Sequence, residues 1–179
     1  MLDDFRRFTG LQVARFRFRR SREKVISFTR SVSNARDVLV IMPLDRRQLL
    51  NTVFVIDLLR KRFREENVTF VTHEKNQELK KMMPRSQFVT LLASEATLFY
   101  LPRREALRRV QRRSYDLALD LNLDFLLPSA YICKASGARV RIGFARKRAD
   151  TFFNFQVRTD PALSPQNLFD RLATCLQMF

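Results

Sequence analysis

Along residues 38–157 the apolar positions fall into short blocks that alternate between two periods. Val38-Leu-Val-Ile-Met42 is a continuous apolar run of strand length, and Val68–Thr72 is another. Between them, residues 46–63 carry apolar side chains at three- and four-residue steps, which predicts a helix with apolar Leu50, Val53, Phe54 and Leu58 on one face. A strand, a helix and a strand of this length form the unit that a right-handed parallel crossover requires. The alternation continues with a polar helix near residues 74–82, a strand near 87–92, a short extended piece at 97–100 and an Arg-rich helix at 103–113. A central strand follows at Asp116–Leu121, then an apolar helix at 125–135 closed by Gly137, where a left-handed C-cap is expected. Residues 139–144 read as a further strand, 152–157 as an edge strand, and Ser164-Pro165 as the cap and first turn of a closing helix through Met178. Strands alternating with helices predict an α/β fold, a single Rossmann-like domain with a mostly parallel sheet, over residues 37–179.

Residues 1–36 follow a different pattern. Phe5, Phe8 and Leu11, and later Val25, Phe28 and Val32, have helical spacing, whereas Phe16 and Phe18 alternate with Arg15, Arg17 and Arg19 in strand fashion. Two helical pieces broken between Gly10 and Phe18 are expected. This segment holds ten Arg or Lys against three acids, so it is set apart as a basic, Phe/Arg-rich arm preceding the domain.

Charge then narrows the partners. The 179 residues carry a formal net charge of +16, which bears on partners and solubility rather than on fold. Arg15, Arg17, Arg19, Arg20 and Arg22 of the arm, with Arg104, Arg108, Arg109 and Arg113 sharing one face of the Arg-rich helix, are the candidate residues for docking an anionic partner. An anionic membrane surface and a nucleic acid both fit that charge, though no nucleic-acid-binding motif accompanies it, and the phenylalanines could equally bury in a partner protein. The longest apolar runs are far too short to span a bilayer and the N-terminus lacks a secretory pattern, so a cytoplasmic location, peripheral to the inner face of the membrane at most, is expected.

Several chemistries find no support in the residues. The three glycines, Gly10, Gly137 and Gly143, cannot build a G-x-G-x-x-G turn or a P-loop, so no nucleotide cofactor is expected. The single histidine, His73, lacks convergent ligands for a metal and reads as a loop or cap residue, and Cys133 and Cys175 read as reduced, packed side chains. In an open α/β sheet the ligand crevice lies outside the carboxyl ends of the strands, where strand order reverses. That rule brings the loops after Met42 and Leu121 together and makes Asp45, Arg46, Arg47, Gln48, Asp120, Asn122 and Asp124 the candidate lining.

Four stretches also resemble a known family in order and spacing: Val38-Leu-Val-Ile-Met-Pro, Leu58-Leu-Arg-Lys-Arg-Phe63, Arg113-Ser-Tyr-Asp-Leu-Ala-Leu-Asp-Leu-Asn122 and Ser136-Gly-Ala-Arg-Val-Arg-Ile-Gly-Phe144. Together they look like the N-terminal domain of the ADP-heptose:lipopolysaccharide heptosyltransferases, over roughly residues 37–179. The resemblance implies a GT-B architecture, in which this domain holds the acceptor and a second Rossmann domain binds the nucleotide sugar. The chain ends where that second domain would begin, so the donor half is expected to be missing. The family's Ser-Leu-Gly-Asp type turn, with the Asp as base, aligns with Asp45, Arg46, Arg47 and Gln48, which puts an amide where a proton acceptor is needed. The expectation is a degenerate domain without catalytic residues, serving as a non-catalytic binding or scaffold subunit among protein partners. The alternatives are the acceptor half of a split glycosyltransferase and a nucleic-acid-binding protein.

Overall fold

A computed structural model describes residues 2–19, 26–73, 77–160 and 162–179. Arg20 and Arg22, and the expected start of the polar helix at Glu74, lie outside the described residues. The helices are α1 (Leu2–Phe18), α2 (Phe28–Ser33), α3 (Arg46–Leu49), α4 (Val53–Arg62), α5 (Gln77–Met82), α6 (Arg104–Val110), α7 (Leu127–Ala135) and α8 (Pro165–Gln177). The strands are β1 (Val38–Ile41), β2 (Val68–Thr72), β3 (Gln87–Thr90), β4 (Leu117–Asp120), β5 (Val140–Phe144) and β6 (Phe155–Val157). They form one sheet in the order β3-β2-β1-β4-β5-β6, and every pairing is parallel. This is a Rossmann-like α/β domain, and its strand order reverses between β1 and β4.

Strand burial explains the run-like apolar blocks. In β1, Val38 and Val40 enter one core layer while Leu39 and Ile41 enter the other, so both faces of the strand are covered and no polar alternation survives. One layer packs α2, α4, α5 and α8 on the sheet, and the other packs α1, α6 and α7. Gly137 takes φ +77°, as its position after α7 required, and the Ser164 hydroxyl accepts from the Asn167 N–H to cap α8.

Four sequence-based expectations need correction. The first helix runs unbroken through Gly10 to Phe18, because Gly10, Leu11 and Ala14 form its buried side and Phe18 packs on Tyr131 and Phe152; the Phe/Arg alternation at 15–19 is a helix turning from the exposed Phe16 to the packed Phe18. The helix after β1 buries Thr52, Val55, Ile56, Leu59 and Phe63, whereas Leu50, Val53 and Phe54 are exposed. Both sets have helical spacing, and a 3-10 turn, Leu50–Thr52, leads into α4. Residues 97–100 form a turn, not an extended piece. Its N–H of Tyr100 donates to Thr97 O, and the bridge between Ala96 and Pro102 closes its base. Finally, α6 ends at Val110, so Arg113 is not on it at all.

Many cations turn inward. Arg62 at the end of α4 donates to the carbonyls of Leu176 and Val32, tying α8 and α2 to that helix. Buried Arg141 donates to the carbonyls of Phe152 and Ala138. Arg113 donates to Glu66 O and stands 3.6 Å from Asp37. Arg109 makes a two-pronged pair with Glu95 at 2.6 and 2.7 Å and also bonds Thr90 O. Arg109 and Arg113 therefore do not join Arg104 and Arg108 on one free face: the first two brace the fold and the last two are exposed.

Candidate functional site

The carboxyl ends of β1 and β4 meet as the topology requires, and their loops are stitched together. Leu121 N–H donates to Ile41 O, and Leu44 N–H donates to the Asn122 side-chain oxygen at 2.9 Å. Asn122 in turn donates its backbone and side-chain N–H groups to Asp120 Oδ1, at 3.1 and 2.7 Å. Asp120 is 3% exposed, and burial raises its pKa to about 7 against the opposing pull of the two Asn122 bonds. These two residues lie beneath the β1 loop and hold it. Asp124, beyond them, is exposed and faces Arg146 at 4.0 Å.

On the β1 side, Asp45 is the N-cap of α3 and its carboxylate accepts from the Arg47 N–H at 2.9 Å. Gln48 sits one turn on and is half-buried, with its N–H bonded to Asp45 O. Arg47 is exposed. Arg46 alone of the seven expected residues lines the crevice itself.

The crevice consists of two adjoining cavities over the sheet edge, of about 250 and 270 Å³, which share Leu44 and His73. The first lies between the β1 loop and the end of β2, against Met42, Arg46, Leu49 and Thr72. The second is walled by Leu11, Tyr100, Phe125 and Leu127, with Arg7 and Arg148 at its margin. Arg7 stacks over the Tyr100 ring at 5.2 Å, and Arg148 is held in left-handed backbone with φ 76°. Two polar atoms in the lining have no hydrogen-bond partner among the described residues, His73 Nε2 and the fully buried Ser129 Oγ in the first turn of α7. Burial also lowers the pKa of His73, favouring the neutral ring, which can accept as well as donate. An apolar cleft with two guanidinium groups at its margin and these two polar atoms suits a ligand that joins an anionic group to an apolar body. Among the described residues no cluster of His, Cys, Asp or Glu could hold a metal ion.

Sequence reasoning overlooked most of this lining. His73 could have been found, since it directly follows β2, whose carboxyl end adjoins that of β1. Arg7 and Arg148 gave no local signal, because a distant helix and a loop after β5 bring them in.

No family model matches the chain, and no curated protein matches it in sequence. Among solved structures it is similar to Escherichia coli heptosyltransferase WaaC. With ADP that structure shows 12% identity and a TM-score of 0.54 over 78% of this chain and 46% of WaaC. With ADP-2-deoxy-2-fluoro heptose the values are 14% and 0.57, over 80% and 49%. A glycosyl transferase family 9 structure from Veillonella parvula gives 15% and 0.52, over 76% and 41%. The class is thus a Rossmann-like α/β domain. More particularly, its fold is heptosyltransferase-like, as the four sequence stretches implied, and the chain spans less than half the length of the structures it matches. Among the described residues no helix is long and apolar enough to cross a membrane.

Proposed function

We propose that this chain is a non-catalytic binding or scaffold subunit of a larger assembly, built on a glycosyltransferase-like Rossmann domain and attached through the basic segment 1–36. The observation that carries this reading is the state of the β1 loop. Its one carboxylate, Asp45, is engaged as the cap of α3, and the position that the family pattern gives to the base is Gln48, an amide with no useful basicity. Asp120, the nearest buried carboxyl, is enclosed beneath the loop.

Asp45→Asn tests the reading cleanly, because asparagine caps a helix as well as aspartate does but accepts no proton. Assemblies isolated from cells expressing either form should be compared for sugar transfer from a nucleotide sugar. Equal transfer, or none in either, is expected. Transfer that disappears with Asp45→Asn would make Asp45 a general base and overturn the proposal.

A second reading, the acceptor-binding half of a split glycosyltransferase, draws on the crevice alone. Arg7, Arg148, His73 and Ser129 surround a cleft suited to an anionic sugar acceptor. It predicts that a phosphorylated sugar protects the crevice amides in hydrogen exchange, and that Arg148→Gln removes the protection.

A further inference from the structure

Helix α1 is apolar on two opposite sides. Gly10, Leu11 and Ala14 lie against the domain, with Phe18 wedged on Tyr131 and Phe152. Gly10 is so close to the 97–100 turn that a Cβ there would stand 2.0 Å from Phe99 O. The helix is therefore seated on the domain and its other side faces outward. That outer side carries Leu2, Phe5, Val13 and Phe16, which fall within an arc of about 80° at 3.6 residues per turn. They are 65%, 64%, 46% and 76% exposed. A surface helix that has already buried one apolar face has no reason of its own to carry a second.

The flanks of the stripe are cationic. Arg15 and Arg19 stand on one side of it, with no ion pair among the described residues, and on the other stand Arg6, 3.9 Å from the Asp3 carboxylate, and Arg17, over the Tyr131 ring at 5.9 Å. Exposed Leu98 belongs to the turn whose Phe99 carbonyl meets Gly10, and Arg103, Arg104 and Arg108 follow that turn, all exposed. Long Arg stems can lie along an apolar surface while their heads reach anionic oxygens. Phenylalanines outward, guanidinium groups at the rim and a chain carrying +16 form the pattern of a helix lying in the plane of an anionic lipid interface.

We propose that the outward face of α1 docks this chain on an anionic phospholipid bilayer, Leu2, Phe5, Val13 and Phe16 entering the headgroup boundary and the flanking arginines meeting lipid phosphates. This rests on the attachment role given above to the first segment and names its target; it does not depend on whether the crevice transfers sugar.

The test is flotation of the full chain with vesicles of phosphatidylcholine alone and of phosphatidylcholine with phosphatidylglycerol, at physiological salt. Binding to the anionic vesicles only is expected. Any strongly basic protein adheres to them to some extent, so the decisive comparison keeps charge constant. Phe5→Ser with Phe16→Ser should weaken partition by about tenfold or more, as expected for removing two aromatic side chains from an apolar phase. Circular dichroism should be unchanged, since both side chains are outside the core. The chain contains no tryptophan, so Phe16→Trp supplies a single reporter whose emission should shift to the blue on the vesicles. Phe54→Trp, exposed on the opposite layer, should not shift. Absence of flotation, or flotation that the serine pair leaves unchanged, overturns the proposal. So does a stoichiometric protein partner that the serine pair releases while vesicles fail to bind, which would make the stripe a protein-docking face.

Discussion

Asp120 ends β4 among apolar neighbours, and its ionisation couples fold stability to pH. Desolvation lifts its pKa from 3.8 to about 7, so the folded chain binds a proton more tightly than the unfolded chain does across that window. Its contribution is greatest below the unfolded value and is lost as pH rises through the folded one. Asp120→Asn keeps the acceptor that Asn122 uses but removes the charge, and each tenfold difference in proton affinity between the folded and unfolded chain is worth about 1.4 kcal/mol. Urea midpoints measured from pH 4 to 8 should fall with rising pH in the wild type, and fall less in the variant. A second residue-scale prediction concerns Gly10. Alanine would gain about 1 kcal/mol in helix propensity. The methyl, however, would meet a backbone carbonyl at 2.0 Å, which cannot swing aside as a side chain could. Gly10→Ala should therefore destabilise by about 1–3 kcal/mol, the usual range for overpacking, whereas Gly137→Ala has open space and suffers only its φ of +77°.

Between elements, the pair Arg109–Glu95 fastens the 91–103 loop to α6 and to the end of β3. Arg109 holds the Glu95 carboxyl down to about 2, helped by the Leu92 N–H. A depressed acid stabilises fully above its unfolded value of 4.5, and that contribution fades as pH falls toward 2. Arg109→Lys retains the charge but not the planar two-pronged geometry. It should lower stability at pH 7 by about 1–2 kcal/mol through the lost bonds to Glu95 and Thr90, and flatten the acid limb of the stability profile. Because Arg109 serves the fold, substituting Arg104 and Arg108 should reduce the salt dependence of anion binding while the urea midpoint stays put. α4 teaches a related lesson. Two interleaved stripes, 50-53-54-58 and 52-55-56-59-63, satisfy the same helical period, and periodicity without a neighbour cannot choose between them.

At the scale of the whole molecule, α1 belongs to the layer that covers one side of the sheet and forms a wall of the crevice through Arg7 and Leu11. Deleting residues 1–19 should uncover Tyr131, Phe152 and Leu127 and lower stability by about 2–5 kcal/mol, from the lost burial of Leu11 and Phe18. Circular dichroism should still show an α/β chain, since α1 contributes nothing to the strand pairing and α7 also meets β1 and β4 directly. If the urea midpoint is unmoved, α1 is an appendage rather than part of the layer.

Local pattern was sufficient for the parts of this protein whose cause is local. Continuous apolar runs mark strands buried on both faces, a glycine marks the end of α7, a serine and proline mark the start of α8, and the order of these blocks implied the parallel sheet, while the resemblance of four stretches implied its heptosyltransferase-like fold. The switch point followed from topology, and with it the meeting of the loops after Met42 and Leu121. Tertiary structure alone decided which charges are free: Arg62, Arg109, Arg113 and Arg141 look like any other arginines in the chain, and only carbonyls and carboxylates distant in sequence reveal them as braces. It also decided that Asp120 lies beneath the loop rather than in the crevice, that His73, Arg7 and Arg148 line that crevice, and that α1 turns one apolar side to the sheet and the other outward. Those properties are sums over neighbours remote along the chain, and a hydrophobic period measures only what a residue's own element would bury.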